Sequence, residues 1–477
     1  MIDFHELWGI LDWAVLVVYF ILVLGVGALM HKRASTSFKS FFVASRRLTI
    51  PVLIGVAAAG WYDSWTIVGL AECGFTMGIS ILFIYVVPTA LLRLPLAIWI
   101  GPYTRDKLPD HVVTLPDMIG YLYDRKTKVL GSIVPIFSVL YSAALLFAVG
   151  QVMHLVTGLP IVLTVIVAGA AIIFYTTMAG LWALAVTDLI QFAVMTVSAG
   201  ALGLGILSHF GSVQNIWDSI AAIDPVLLTP LGHNTILDVF AWIIGAAALY
   251  VNAQSYQRFG ASKGGNEIKI AYTLMLTIGI AFSTIMVFGG MTALVMYPDA
   301  ATPAAGFWAT VFTVLPTGMR GLFVAALIAA VMSTSSADIL ISAGIIAKDV
   351  IKEFFLPNMT DQSTVKVTRI LIVVVGIFII MGTFLWSDGI AKAWYYIGGF
   401  QTAVFFIPIV CGLFYKRKTA TGGFISVIIG IVAYIVWEFL LGAPMGIPSN
   451  VFTWCVSLVA YFIVNESLYR IDSAKKI

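Results

Sequence analysis

Long apolar runs alternate with short polar stretches along this chain. A bilayer hydrocarbon core takes about 20 mostly apolar residues per helix. Runs of that length fall at 13–30, 48–74, 79–101, 128–156, 159–180, 184–209, 235–257, 268–296, 320–347, 367–386, 390–415, 421–442 and 450–467. Each predicts a transmembrane helix, about 13 in all, so the fold class is an all-α polytopic membrane protein. Three runs carry polar interruptions. One reads VAAAGWYDSWTIVGLAECG, with Gly60 and the cluster Trp61–Ser64 inside it. The second has a small and polar interruption at 251–255. The third reads AAVMSTSSADIL over 329–340, four hydroxyls in a row followed closely by an acid.

The polar remainder sets the orientation. Cytoplasmic loops are enriched in Lys and Arg. With the N-terminus outside, the inner loops are 31–47, 102–127, 258–267, 348–366 and 416–419, plus the C-terminal tail. With their flanking helix ends they hold all 26 Lys and Arg except Arg93, Arg320 and Lys392. This predicts a cell-membrane protein with its N-terminus outside and its C-terminus cytoplasmic, and it agrees with an odd number of helices. The outer loops 210–234 and 297–319 are long and poor in Lys and Arg.

Composition sharpens the class and removes others. The chain is 61% hydrophobic and 10% charged, with a mean hydropathy of +1.02. Soluble domains run near 45–50% apolar and about 25% charged. The net charge is only +3 and no basic cluster occurs, so nucleic acid is not an expected partner. Cys73, Cys411 and Cys455 lie in separate apolar runs and form no CxxC pair. The six histidines are scattered without metal spacing. The opening MIDFHE lacks the basic region of a cleaved signal, so the first run is expected to remain in the mature chain. No GxxxxGK[ST] occurs, and the longest inner loop, 102–127, is too short for an ATPase or kinase module. There is no Ser/His/Asp set and no cofactor loop, so an enzyme is not expected. Uphill work must then draw on an ion gradient.

The polar centres suggest which ion. On a helix, Ala330, Ser333, Thr334 and Ala337 share one face, and Asp338 lies a turn from Thr334. Hydroxyls are neutral oxygen ligands suited to a hard monovalent cation. Discontinuous helices in transporters bring unwound carbonyls to such ions near the midplane. The segment around Gly60 supplies that partner: carbonyls at Ala59 and Tyr62 could complete a cage with Ser333 and Thr334. Two plainer readings stand beside this one. Ser and Thr also join packed membrane helices, and Asp63 could be a buried acid paired for structure alone.

Six stretches together resemble the sodium/solute symporter family over essentially the whole chain. They are SFKSFFVASRRL, AAGWYDSW, YTTMAGLWALAVTDLIQ, NAQSYQR, AAVMST and FFIPIVCGLFYKRKTATGG. The AAVMST stretch is close to the form in sodium/proline symporters, and the last stretch has some likeness to the choline branch. The resemblance implies a five-plus-five inverted-repeat transporter core. The repeats would span 48–209 and 235–415. Residues 1–47 would hold the first helix and an inner loop, 210–234 an outer loop, and 416–477 two peripheral helices and the tail. It further implies Na+ as coupling ion, held by Ala59, Tyr62, Ala330, Ser333 and Thr334. Asp188 matches an acid linked to sodium release or, in some members, to a second sodium. Ser336 matches one hydroxyl of that second site, while Ala337 replaces the other. Asp338 could substitute there or serve the exit path. A helix N-cap is the equally weighted plain reading of Asp188.

The substrate is a small-molecule solute, and here the inference thins. The positions matching family substrate sites are Trp61, Asp63, Ser64, Gln151, Trp242, Tyr250, Asn252, Gln254, Trp394, Tyr395 and Tyr396. The aromatic residues among them could equally be interfacial belts or core packing. Asp63 is the informative departure, because the proline branch carries a small residue there. A carboxylate among aromatic rings suits an ammonium group. The expectation is therefore an amino acid or another amine-bearing compound. Sugars, sialic acid and vitamin carboxylates stay open, as do a sensor acting through a partner and a proton-coupled carrier.

Overall fold

The computed structural model describes residues 4–30, 37–178, 180–385 and 390–474. Among them, twelve helices are long and apolar enough to cross a membrane. The transmembrane elements are α1 (Ile10–Met30), α2 (Ile50–Ala59), α3 (Leu70–Met77), α4 (Leu82–Lys107), α5 (Val134–Thr157), α6 (Ile161–Met178), α7 (Leu181–Phe210), α8 (Ile236–Ala246), α9 (Ala253–Ala261), α10 (Gly265–Met296), α11 (Met319–Phe355), α12 (Asp361–Leu385), α13 (Ile390–Phe414), α14 (Ala420–Leu440) and α15 (Ser449–Ala474). The run 48–74 is the thirteenth segment. It is divided at residues 60–63 into α2 and a second half, in which a wide helical turn over Trp65–Gly69 runs into α3. The expected outer loops are not bare: they carry helices Val213–Ile223 and Pro303–Val314. These are too short to span, which is why a search at membrane length passes over them.

Burial sorts the helices into centre and rim. The apolar span of α11 is wholly buried, whereas α1 and α15 bury 28% and 22% of theirs. Ile10, Val17, Val18 and Ile21 of α1 face outward, as lipid contact requires. Small residues set the closest approaches. A Cβ on Gly290 of α10 would lie 1.9 Å from the Ala71 carbonyl of α3, and one on Gly74 would lie 2.3 Å from the Val287 carbonyl. A Cβ on Gly55 of α2 would meet Leu189 Cα of α7 at 2.6 Å. Backbones approach this closely only where no side chain intervenes.

Both predicted breaks are present. After Ala59, the amides of Gly60 and Trp61 turn back to Ala57 and Ala58, and the regular ladder resumes with Ile67 donating to the Asp63 carbonyl at 3.1 Å. Side-chain donors take the carbonyls that this releases. Arg93 donates to the Gly60 carbonyl at 3.0 Å, and the Thr66 hydroxyl donates to that of Trp61 at 2.5 Å. The second break follows a tight turn over Ala247–Tyr250. Asn252 restarts the helix by accepting from the Gln254 amide at 2.7 Å. Gln401 of α13 donates to the freed Val251 carbonyl at 3.1 Å. Each break is thus held by a polar side chain from a neighbouring helix, which satisfies backbone groups that lipid could not.

The face that carries most of the Lys and Arg is tied by polar contacts. Leu48 pairs with the 261–263 segment through two backbone bonds of 3.1 Å. Asp117, on the short helix Leu115–Leu122, accepts from Lys128 at 3.0 Å and from Lys348 of α11 at 2.6 Å.

Candidate functional site

A cavity of about 70 Å³ lies between the two breaks, walled also by α4, α5, α10, α11 and α13. That is room for about five waters, or for a solute of a few heavy atoms. Its wall is polar and aromatic together. Of the expected solute residues it includes Trp61, Asp63, Asn252, Gln254 and Trp394. Thr334 and Asp338 also border it, so the hydroxyl-rich stretch of α11 faces the same space.

Asp63 is firmly held. Its Oδ1 accepts from the Thr66 amide at 2.9 Å and from the Thr66 hydroxyl at 3.1 Å. It thereby caps the second half of the broken helix. Its Oδ2 accepts from the Tyr141 hydroxyl of α5. Around it stand rings that the sequence reading missed. Trp65 lies near parallel to Trp242 and Trp394, at 5.9 and 6.2 Å between centroids, and donates to the Tyr85 hydroxyl at 3.0 Å. Tyr141 packs against Trp394 at 5.0 Å. Trp242 is therefore part of the aromatic frame, one ring behind the cavity wall.

Asp338 accepts from Gln254 at 2.5 Å and from Ser142 at 2.8 Å. Gln254 also donates to the Thr334 carbonyl at 3.3 Å. The second break is in this way bonded directly to α11.

The expected cation ligands lie on the α2 end and the middle of α11. Ala59 is the last residue of α2, and Tyr62 follows in the break. Ala330, Ser333 and Thr334 are buried on α11, which packs against α2. The Ser333 hydroxyl donates to the Ala330 carbonyl at 3.0 Å, and Ser336 donates to the Ser333 carbonyl at 3.2 Å. Both hydroxyl oxygens keep lone pairs. Such neutral oxygens fit a hard monovalent cation.

Asp188 stands apart from the cavity. It lies inside α7, which starts at Leu181 after Gly180, so the N-cap reading is corrected. It is buried, and its Oδ1 has no hydrogen-bond partner among the described residues. The neighbouring Thr187 hydroxyl meets Tyr175 instead.

Six expected solute residues, Trp242 among them, are not on the cavity wall. Gln151 lies well beyond Tyr141 on α5, about 15 Å further along by helix rise. On α13 the wall takes Trp394, Ile397 and Gln401, one helical face, which turns Tyr395 and Tyr396 aside. Tyr250 donates to the Leu92 carbonyl at 2.6 Å and so braces the second break against α4. Ser64 is buried beside the cavity with its hydroxyl unpartnered among the described residues. Conversely, Trp65, Tyr85, Arg93, Ser138, Tyr141, Ser283 and Gln401 line the cavity and were not singled out from the sequence. Arg93 had shown one signal: it is a cation inside an apolar run. A second cavity of about 200 Å³, between α1, α5, α6 and α11, is almost wholly apolar and offers no comparable chemistry.

Residues 41–430 match the model of the sodium:solute symporter family. The chain is 26% identical to the sodium/pantothenate symporter of Escherichia coli, over 94% of this chain and 95% of that protein. It is 24% identical to the osmoregulated proline transporter of Bacillus subtilis, over 94% and 93%. Among solved structures it resembles a Na+-coupled sialic acid symporter in a substrate-bound outward-open state. That likeness has a TM-score of 0.80 at 20% identity and covers 96% of this chain and 98% of that one. It also resembles Mhp1, a nucleobase-cation-symport-1 transporter, with a TM-score of 0.57 at 12% identity over 91% and 96%. The fold is the all-helical, five-plus-five inverted-repeat transporter core that the motifs had implied.

Proposed function

This chain belongs to the sodium:solute symporter family, and from that premise we propose that it imports a small amine-bearing solute, an amino acid foremost, coupled to Na+. It is a multi-pass membrane protein and a transporter rather than an enzyme. One observation carries the substrate reading. The cavity between the two helix breaks presents Asp63 among Trp61, Trp65, Tyr85, Tyr141 and Trp394. A fixed carboxylate with aromatic faces attracts an ammonium by charge pairing and by cation–π contact. Proline, named as the cargo of one relative, is such a compound.

Sodium binds at the Ala59 and Tyr62 carbonyls, the Ala330 carbonyl and the Ser333 and Thr334 hydroxyls. Thr334 touches both the ion and the solute cavity, so each ligand favours the state that binds the other. Sodium leaves past Asp338 and Asp188 to the cytoplasm. The N-terminus faces outward, as the Lys and Arg distribution supports.

A second reading has its own support. The Escherichia coli relative carries pantothenate, a carboxylate without an amine. Proteoliposomes with an imposed sodium gradient separate the two. We expect sodium-driven uptake of one or more amino acids and none in potassium. Uptake of pantothenate or a sugar alone would move the substrate to the second reading and leave the coupling intact. Uptake indifferent to sodium would overturn the proposal.

A further inference from the structure

Arg93 is a cation about midway along α4, inside the membrane span. Charges at that depth are costly unless they are paired. Arg93 has no carboxylate partner among the described residues. Of the two acids on the wall, Asp63 is taken by Thr66 and Tyr141, and Asp338 by Gln254 and Ser142. The guanidinium lies 4.0 Å over the Trp61 ring. That ring is itself fixed, since it presses on Gly279 of α10 and donates to Ser283 at 3.2 Å. One guanidinium nitrogen reaches the Gly60 carbonyl at 3.0 Å, and Nε is buried without a partner among the described residues. The fork is oriented, charged, unsaturated and on the wall of the solute cavity. Among the described residues it is the only Lys or Arg on that wall.

We infer that Arg93 is the subsite for an anionic group of the solute, so that the cargo is a zwitterion carrying a carboxylate as well as an amine. This rests on the transport reading above and narrows it. A bare amine, such as a quaternary ammonium or a polyamine, would satisfy Asp63 and leave Arg93 uncompensated. An α-amino acid satisfies both. A planar guanidinium fork matches a carboxylate in shape as well as charge. Arg93 also grips the break that carries the proposed sodium carbonyls, so a carboxylate that draws on the guanidinium acts on the cation site through Gly60.

The test uses the purified full chain and a panel of L-amino acids, pantothenate, choline and putrescine, each in sodium and in potassium. Thermal stabilisation is read first. Every amino acid that stabilises is then compared with its methyl ester, which keeps the amine and loses the negative charge. The inference predicts that the wild type prefers acid to ester by about tenfold to a hundredfold in affinity. In Arg93→Gln that preference falls to within about threefold, and Arg93→Lys, a charge without a fork, lies between. If the variants do not purify, the acid-to-ester ratio of the wild type decides. Choline or putrescine stabilising in sodium, or an ester matching its acid, overturns the Arg93 assignment and leaves sodium coupling in place. Sodium stabilising with no carboxylated compound adding to it has the same effect. Acid and ester binding equally, with stabilisation lost when isethionate replaces chloride, puts an inorganic anion at Arg93 and overturns it too. No effect of sodium and of every compound strikes the transport reading itself.

Discussion

Asp63 has two tasks that its chemistry allows to be separated. Its Oδ1 caps the restarted helix at Thr66, and its charge faces the cavity. Asn keeps an oxygen acceptor for the cap and drops the charge. Asp63→Asn is therefore expected to keep most of the thermal stability and to weaken binding of an amine-bearing solute by about tenfold or more. Calorimetry on the same preparation checks both, and unchanged affinity would remove Asp63 from the ammonium site. This residue was visible in the sequence because an acid in an apolar run stands out, and so were Asn252, Gln254 and Asp338. Trp65, Tyr85 and Tyr141 were not, since they are three of many aromatic residues in a chain with 31 Phe, 18 Tyr and 13 Trp. Tyr395 and Tyr396 were overread for the complementary reason. A cluster of aromatic letters gives no helical phase, and on α13 the phase favours Trp394 and Gln401.

The broken helices are held as much by what packs behind them as by the breaks. Behind α3 stands α10, with Gly290 against the Ala71 carbonyl. Gly290→Ala has no room and is expected to cost about 3 kcal/mol by overpacking. Gly200→Ala on α7 meets nothing within 4 Å and should stabilise by about 0.5–1 kcal/mol through helix propensity. Denaturation of the two variants in one detergent tests the contrast, and equal losses would contradict the close approach. The breaks themselves were legible, because glycine and polar residues interrupt runs that are otherwise uniform. The partners that hold them, Arg93 for one and Gln401 for the other, are distant in sequence and became visible only in the packing.

For the whole molecule, the Lys and Arg that cluster in one set of loops also tie those loops together. There Asp117 meets Lys128 and Lys348, while the same Lys128 reaches Asp349 at 3.1 Å and Glu353. Burial alone would raise the Asp117 carboxyl, but Lys348 and Lys128 overcome it and hold the group well below the usual carboxylate range. A depressed folded value stabilises the fold above the unfolded value, about 3.9, and that stabilisation fades as pH falls below it. Acid titration of the thermal midpoint should therefore show a loss in the wild type that is smaller in Asp117→Asn, a variant already weaker at neutral pH by about 3 kcal/mol. Parallel curves would remove Asp117 from the cause. At this scale the class, the helix count and the charge distribution were open to sequence reading because lipid imposes length and polarity on every span. The cavity was not, because it depends on the mutual phase of seven walls. The central claim is that a sodium site joins the first break to α11 beside that cavity. Its most direct test is the thermal midpoint of the purified protein in sodium against potassium, for the wild type and for Ser333→Ala with Thr334→Ala. At an ion concentration a hundredfold above the dissociation constant, binding adds about 2.7 kcal/mol. The account predicts that shift in the wild type and its absence in the double variant; an equal shift in both would contradict it.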